Sequence, residues 1–189
     1  SGTSGSSVTR NTYDPAGNIT EVRVITDAGV TLDERQYNDL NQLVSSSGGW
    51  VYFYNLDGDL VEKNSGTDVG DEKWEFAFQE NSRLTQVKKG VYSAGAVLTN
   101  VFTVNYGLDE MGRMLRREVV GETPTTFTWD GWDCVSETTG SSTTEYLVPQ
   151  GMIYSFIRDG QLYCMHSDGL GSCRMVTDST GAVVARFAY

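Results

Sequence analysis

The residue best suited to catalysis is His166, the single histidine of this 189-residue chain. Cys164 is two residues before it, and Asp159 and Asp168 lie on either side. Residues two apart in a β-strand point to the same face, so Cys164 and His166 could form the thiolate–imidazole pair of a nucleophilic enzyme. No further residues converge on them in the sequence. We therefore interpret His166 as a structural histidine, hydrogen-bonded beside a turn, and expect no enzyme activity.

The cysteines offer a second kind of chemistry. Cys134, Cys164 and Cys173 are an odd and sparse set, which is not a disulfide framework. Cys164 and Cys173 nevertheless flank Asp168 and Gly169 symmetrically, so a hairpin could bring them opposite one another. A disulfide between Cys164 and Cys173 is then possible in an oxidising compartment. Cys134 would remain a free thiol, buried rather than reactive.

The acidic and aromatic residues suggest two binding chemistries. Asp14 and the Asp57–Asp59 stretch offer hard oxygen ligands, but no calcium-loop spacing accompanies them, and turn capping explains them without metal. We expect no metal and no cofactor. The four tryptophans could stack on sugars, although such residues more often form the core of a sheet. They are Trp50, Trp74, Trp129 and Trp132.

Composition limits the partners. The formal net charge of −11 disfavours both nucleic acid and anionic lipid. No apolar run approaches membrane-spanning length, so membrane insertion is not expected. No signal peptide opens the chain, which indicates export directed by other sequence or a fragment of a longer protein.

The main signal is a repeat: an aromatic, then Asp, Asn or Gln, two residues, a turn residue, one residue, and an aliphatic. Six copies have their second position at 14, 38, 55, 79, 109 and 130, although the aromatic of the fifth is displaced to Tyr106 and the sixth is degenerate. The Asp or Asn side chain can cap its own turn, and glycine or asparagine supplies the positive φ. The aromatic and the aliphatic can then pack as a cross-strand pair. The residues assigned to these turns are Tyr13, Asp14, Gly17, Tyr37, Asn38, Asn41, Tyr54, Asn55, Gly58, Asp109, Gly112, Trp129 and Asp130.

The stretches between the turns alternate polar and apolar residues, as in 20–26 and 73–78, which indicates strands with one buried face. No long stretch has helical periodicity. We therefore predict an all-β fold of stacked antiparallel hairpins, forming a curved sheet or partial β-shell. Residues 1–9 are assigned to a flexible linker or expression remnant, 10–140 to the hairpin repeats, and 141–189 to a final segment continuous with the same sheet.

The copies resemble the tyrosine-aspartate (YD) repeats of the Rhs family, which run Tyr-Asp-x-x-Gly-Arg/Asn-Leu. The 163–189 segment resembles the core-associated segment of that family, commonly Tyr-Tyr-His-x-Asp-x-Leu-Gly-Ser-x-Arg followed by Thr-Asp-x-x-Gly-x-Val-Val. The matching residues are Tyr163, His166, Asp168, Leu170, Gly171, Arg174, Asp178 and Gly181. The resemblance covers residues 10–189, although cysteine is unusual in the family at positions 164 and 173.

The resemblance implies a non-enzymatic scaffold that encloses or presents a C-terminal, toxin-type domain absent from these residues. Its partners would be the rest of the parent Rhs shell, the enclosed domain, and other sheet edges through self-association. Its location would be secreted or at the bacterial cell surface. Two alternatives remain open: a self-assembling extracellular fibre subunit, and an adhesion or carbohydrate-binding module that uses exposed aromatics.

Overall fold

The computed structural model describes residues 7–148 and 153–188, and it consists of β-strands joined by turns. The only helix in these ranges is a single 3-10 turn at Glu80–Ser82. Contacts within the chain divide it into two compact units, residues 1–103 and 104–189. The all-β prediction of antiparallel hairpins is confirmed.

The first unit is a series of antiparallel strands in which each of β1 to β7 pairs with the next along the chain. The strands are β1 (Val8–Tyr13), β2 (Ile19–Thr26), β3 (Gly29–Tyr37), β4 (Leu43–Ser46), β5 (Val51–Tyr54), β6 (Leu60–Asn64), β7 (Glu72–Gln79) and β8 (Arg83–Ser93). Strand β1 begins inside the 1–9 segment that we assigned to a linker. β9 (Val97–Leu108) contributes residues to both units.

The second unit repeats the arrangement, and residues 104–108 of β9 pair with its first complete strand. Consecutive strands again pair antiparallel. They are β10 (Met114–Val119), β11 (Thr125–Asp130), β12 (Asp133–Thr139), β13 (Ser142–Leu147), β14 (Ser155–Arg158), β15 (Gln161–Ser167), β16 (Cys173–Asp178) and β17 (Val183–Arg186). Because β12 pairs with β13 across residue 140, the hairpin pattern continues there without a break.

The cross-strand register pairs the aromatic of a repeat with its aliphatic. Four hairpins show this pairing at the residues that the sequence pattern selected. The pairs are Tyr13 with Ile19, Tyr37 with Leu43, Tyr54 with Leu60, and Phe78 with Leu84. The aromatic before each of these turns and the aliphatic after it therefore lie on the same face of the sheet.

A β-bulge follows the pair in every one of these hairpins. In the first hairpin, Tyr13 pairs with Ile19 but Thr12 pairs with Glu21, so that Thr20 is the extra residue. Eight hairpins skip one residue in this way, and the skipped residues are Thr20, Val44, Val61, Thr85, Leu115, Val135, Arg174 and Val184. Bulges increase the local right-handed twist, so twist is added once per hairpin at the same place.

Neither unit encloses a conventional core. Among the described residues, Val176 is the only buried hydrophobic side chain, at 7% exposure. Many large apolar side chains remain exposed, with Leu56 and Leu170 the most open of them. Each row of hairpins is therefore half-buried by its own neighbours and is not covered by a second layer within the described residues.

Candidate functional site

Six turns share one hydrogen-bond pattern, which Asp14 illustrates. Oδ1 of Asp14 accepts the backbone N–H groups of Ala16 and Asn18, both at 2.9 Å. The backbone of Asp14 closes the turn, because its N–H donates to the carbonyl of Asn18 and its carbonyl accepts from Gly17. The same pattern is built on Asp14, Asn38, Asn55, Asp109, Asp168 and Asp178.

The fourth residue of each such turn has a positive φ, which glycine adopts without strain. Gly17 has φ +90°, and Gly58 and Gly112 have +88° and +86°. Asn41 occupies the same position in the second turn at φ 59°, which asparagine tolerates better than other side chains. The turn therefore needs both a capping side chain at its first position and a permissive residue at its fourth.

Two turns assigned from sequence are built differently. Asp130 ends β11 and pairs directly with Asp133, so the hairpin closes on Gly131 and Trp132 alone and Asp130 does not occupy the capping position. The turn after Gln79 is the 3-10 segment Glu80–Ser82. Both hairpins nevertheless keep the bulge, at Val135 and Thr85.

Two turns of the common type were not recognised from sequence as copies of the repeat. Asp168 and Asp178 begin turns that close on Gly171 and Gly181, with φ of +86° and +85°. Their Asp-x-x-Gly-x spacing matches the repeat, but Ser167 and Thr177 stand where most of the other copies have an aromatic. The segment around His166 is therefore a further pair of the same hairpins.

Neighbouring repeats are joined by the polar atoms of their aromatic residues. The hydroxyl of Tyr37 donates to the carbonyl of Ile19 at 3.0 Å, and that of Tyr54 donates to the carbonyl of Leu43 at 2.9 Å. Trp129 makes the equivalent bond, from Nε1 to the carbonyl of Met114 at 2.8 Å. In each case the acceptor is the aliphatic residue of the preceding repeat, immediately before its bulge. The aromatic position thus ties one hairpin to the one before it.

Removing the hydrogen bond from the Tyr37 hydroxyl to the carbonyl of Ile19 should destabilise the fold. Changing Tyr37 to Phe keeps the ring but leaves the carbonyl of Ile19 without this donor, so we expect a loss of about 1 kcal/mol in the free energy of unfolding. Tyr13→Phe is the matched control, because the Tyr13 hydroxyl only accepts a 3.5 Å bond from Asn11. Urea unfolding followed by far-ultraviolet circular dichroism measures both. Equal losses in the two variants would contradict the inter-repeat role.

The capping carboxylates have lowered pKa values. In Asp14 the main cause is the hydrogen bond from the Asn18 side chain, and in Asp178 it is that from the Thr180 hydroxyl. Backbone N–H groups, first that of Leu170, lower the pKa of Asp168. For Asp109 desolvation is the largest influence and opposes the shift, but hydrogen bonds from Arg113 outweigh it and the pKa is lowered. Each turn therefore favours the charged carboxylate.

Acid should accordingly weaken the fold. A carboxyl whose pKa is lower in the folded state contributes stability above its unfolded pKa, about 3.9 for Asp, and loses it as pH falls through the folded value. Asp178→Asn is the cleanest test, because its Oδ1 accepts all three bonds from Thr180 and Ala182. We expect the wild type to exceed the variant in urea midpoint at pH 7 and the gap to close below about pH 4. A gap that stays constant down to pH 2.5 would contradict this assignment.

The imidazole of His166 lies beside a threonine, and the two acids proposed near it from sequence are engaged elsewhere. Its Nε2 lies 3.0 Å from the hydroxyl of Thr177 on the neighbouring strand. Asp168 caps its turn, and Asp159 accepts bonds from the Ser142 hydroxyl and the Thr143 N–H. Both acids are therefore committed to turns rather than to the imidazole.

The disulfide considered between Cys164 and Cys173 is not formed. The register of β15 and β16 places Cys164 opposite Thr177 and Cys173 opposite Ser167, and all three cysteines of the chain are free. The symmetry argument failed because Asp168 begins the turn and is not its centre. Burial raises the pKa of the Cys134 thiol, which makes it less reactive.

Two aromatic clusters lie on the strands, one in each unit. Trp74 is held between the ammonium groups of Lys63 and Lys89, each 5.1 Å from its ring, and its Nε1 donates to Glu72. In the second unit Phe156 stacks on Tyr163 with ring centroids 5.0 Å apart. Tyr146 continues that row at 6.3 Å, and burial raises its pKa to about 12.

The second row forms the floor of an open cavity of about 680 Å³ on the second unit. Aliphatic side chains on β16 and β17 form its opposite side, and Arg158 stands at its edge. The lining residues are Tyr146, Ile153, Phe156, Arg158, Tyr163, Met165, Cys173, Val176, Val184, Ala185 and Phe187.

Residues 7–148 and 153–188 contain no group of three or more His, Cys, Asp or Glu side chains placed to hold a metal ion. Across the same residues, no helix has the length and apolar character needed to cross a membrane.

Comparison with known proteins agrees with the geometry. The chain is 25% identical over 184 residues to the tRNA3(Ser)-specific nuclease WapA of Bacillus spizizenii, a match covering 94% of this chain and 7% of that protein. The crystal structure of TcdB2-TccC3-TEV is similar with a TM-score of 0.62 and 16% identity, over 91% of this chain and 10% of that one. The crystal structure of TcdB2-TccC3 matches with a TM-score of 0.42 and 12% identity, over 97% and 10%. The chain thus spans a small part of the length of each of these relatives.

The family model described as Teneurin YD-shell matches residues 2–189. This range includes all of the bulged hairpins and capped turns described above, and also the segment around His166. This chain belongs to the Teneurin YD-shell family.

Proposed function

We propose that the chain is a wall segment of a non-enzymatic shell that encloses or presents a C-terminal, toxin-type domain of a longer secreted or cell-surface protein. The observation that carries this proposal is the bulge repeated in eight hairpins, which adds twist again and again along the strands of each unit. Such strands are suited to the wall of a shell, because each bulge increases the right-handed twist and so curves the sheet in the same direction.

The exposed apolar side chains support the same proposal. Because Val176 is the only buried hydrophobic side chain among the described residues, a large apolar area remains in need of cover. In a shell, one face of such a sheet meets enclosed polypeptide and is removed from bulk water. The nuclease activity named for the relative in Bacillus belongs to a protein of which this match covers 7%, so it is compatible with a domain carried outside the shell segment.

Protease protection tests the enclosure. In the longer protein that carries this segment, a cleavage site for a sequence-specific protease is placed in the domain that follows the shell. A second version carries the site at the turn tip at Leu56, which is fully exposed. We expect the turn-tip site to be cut readily and the downstream site to resist cleavage until urea opens the shell. Equal cleavage rates in the native protein would overturn the proposal.

Self-assembly into a fibre is the second candidate, and the same exposed apolar surface favours it. Light scattering and negative-stain imaging of the 189-residue chain over a concentration series separate the two. A wall segment gives a monomer or an irregular aggregate, whereas a fibre subunit gives tubes or filaments that lengthen with concentration.

Adhesion through aromatic residues is the third candidate, and among the four tryptophans only Trp132 favours it, because it is 68% exposed at the tip of the β11–β12 turn. Trp129, its neighbour in sequence, is committed to the bond with Met114. If this candidate were correct, Trp132→Ala would abolish glycan binding without changing stability.

A further inference from the structure

The cavity on the second unit is shaped for an apolar side chain. Its floor is the row of Tyr146, Phe156 and Tyr163 rings, with neighbouring centroids 5.0 to 6.3 Å apart. Val184 and Met165 add aliphatic surface to the lining. A volume of about 680 Å³ falls within the range of about 300–1,000 Å³ typical of ligand pockets. It is large enough for more than one side chain.

The polar atoms at the cavity are few and already engaged. The Tyr163 hydroxyl donates to Gln161, and burial together with the nearby Glu137 carboxylate raises the pKa of the Tyr146 hydroxyl. A sugar requires several hydrogen-bond partners to replace its hydration, and unpaired hydroxyls buried here would be costly. The lining therefore selects against carbohydrate and in favour of apolar groups.

Arg158 provides the one charge in the lining. Its guanidinium lies 5.3 Å from the Phe156 ring centroid, Nε donates to the Thr144 hydroxyl at 2.9 Å, and the side chain is 51% exposed. Its nearest acid, Glu137, is 3.8 Å away, which is long for an ion pair. A carboxylate approaching from the cavity can therefore still gain from Arg158.

The spacing of these two recognition elements suits an extended peptide. Phe156 and Arg158 are two residues apart in β14 and both line the cavity, which places them about 6.8 Å apart along the strand. An extended polypeptide presents its residues i and i+2 at the same spacing. A bulky apolar residue followed two positions later by an acid would meet Phe156 and Arg158 together.

We propose that this cavity is a docking site for an extended polypeptide segment that carries an apolar-x-acidic pattern, supplied by the enclosed domain. The inference rests on the proposed shell function and names the kind of segment that the wall holds. The relative from Bacillus spizizenii, of which this match covers 7%, is more than ten times the length of this segment, so such polypeptide is available in a longer protein of this kind. The site would hold cargo through side chains without requiring it to fold.

The test uses the full 189-residue chain and three synthetic peptides in isothermal titration calorimetry. The first peptide has the sequence Ser-Gly-Phe-Ser-Glu-Gly-Ser with both ends blocked. The second replaces Glu with Gln, and the third replaces Phe with Ala. We expect the first to bind, the second to bind several-fold more weakly because it lacks the charge, and the third to show no measurable binding.

Variants place the binding in the cavity. Val184→Glu puts a charge among the apolar lining, and we expect it to lower the affinity by about tenfold or more. Val30→Glu, at a 61% exposed valine of the first unit, is the matched control and should bind as the wild type does. Arg158→Gln should remove the difference between the Glu and Gln peptides. Circular dichroism at the assay temperature verifies that each variant is folded.

Three outcomes would overturn the inference: no binding of the first peptide, equal loss in Val184→Glu and Val30→Glu, or binding of laurate in the same assay with no binding of the peptide. The last would identify a site for fatty acids. These results are independent of the protease-protection experiment, which concerns the longer protein. If the downstream site is protected but the peptide does not bind, the shell function stands and this docking site fails.

Discussion

Replacing Trp74 with Ala is expected to cost about 2–3 kcal/mol in the free energy of unfolding, somewhat less than the 3–5 kcal/mol typical of fully buried aromatics. Trp74 contacts the ring of Phe102 edge-on at 5.6 Å and lies between Lys63 and Lys89. Its removal also strips Glu72 of the indole N–H donor. Because no second layer covers the strands, the side chains on one face supply much of the stability, and Trp74 is central among them.

Trp132→Ala is the matched control for that result. Trp132 is 68% exposed at a turn tip, so its loss should change the free energy of unfolding by no more than about 0.5 kcal/mol. Urea titration followed by circular dichroism measures both variants. Comparable losses at the two positions would show that the Trp74 cluster does not stabilise the sheet as described.

Replacing Gly58 with Ala is expected to cost about 1–2 kcal/mol, because a side chain at this φ of +88° meets the left-handed steric penalty. An added Cβ would meet only the side-chain nitrogen of Gln42, at 3.5 Å, which is ordinary contact. The loss would therefore come from the backbone and not from a clash.

Two further substitutions separate backbone strain from other causes. Gly58→Asn should lose clearly less than Gly58→Ala, since Asn41 holds the equivalent position at φ 59°. Gly169→Ala should be nearly neutral, because Gly169 has no positive φ and an added Cβ would have nothing within 4 Å. Thermal unfolding midpoints rank the three variants. The capped-turn description fails if Gly169→Ala is as damaging as Gly58→Ala.

The capped turns and the aromatic–aliphatic pairs could be predicted from sequence because both depend on residues close together in the chain. Asp14, Gly17 and Ile19 lie within six residues of one another, and their chemistry defines the hairpin locally. The turns at Asp168 and Asp178 have Ser167 and Thr177 in front of them, and their resemblance to the core-associated segment hid that they are further copies of the same turn.

The bulges and the inter-repeat bonds could not be predicted in the same way. The skipped residue is Thr20 in one hairpin, Val61 in another and Arg174 in a third, so no residue type marks it. The bond from Tyr37 to Ile19 joins residues whose distance in sequence depends on the intervening loop. The acceptor is the backbone carbonyl of Ile19. Every residue has such a carbonyl, so the residue type at position 19 does not reveal the bond.

The cavity and the cysteine register depend on several strands at once. Cys164 and Cys173 appeared symmetric about Asp168 and Gly169, yet the observed register centres the hairpin closer to Gly171. The cross-strand partner of Cys164 is therefore Thr177 and not Cys173. The row from Tyr146 through Phe156 to Tyr163 likewise requires the correct register of three strands, which the sequence pattern alone does not determine.

The central claim is that these hairpins are a length of shell wall around enclosed polypeptide. Cryo-electron microscopy of the longer protein that contains the segment tests it most directly. The account predicts residues 7–188 as consecutive hairpins within a continuous β-wall, with density for polypeptide on the enclosed side. A map in which the segment is an independent domain outside any closed shell, with solvent on both faces, would contradict it.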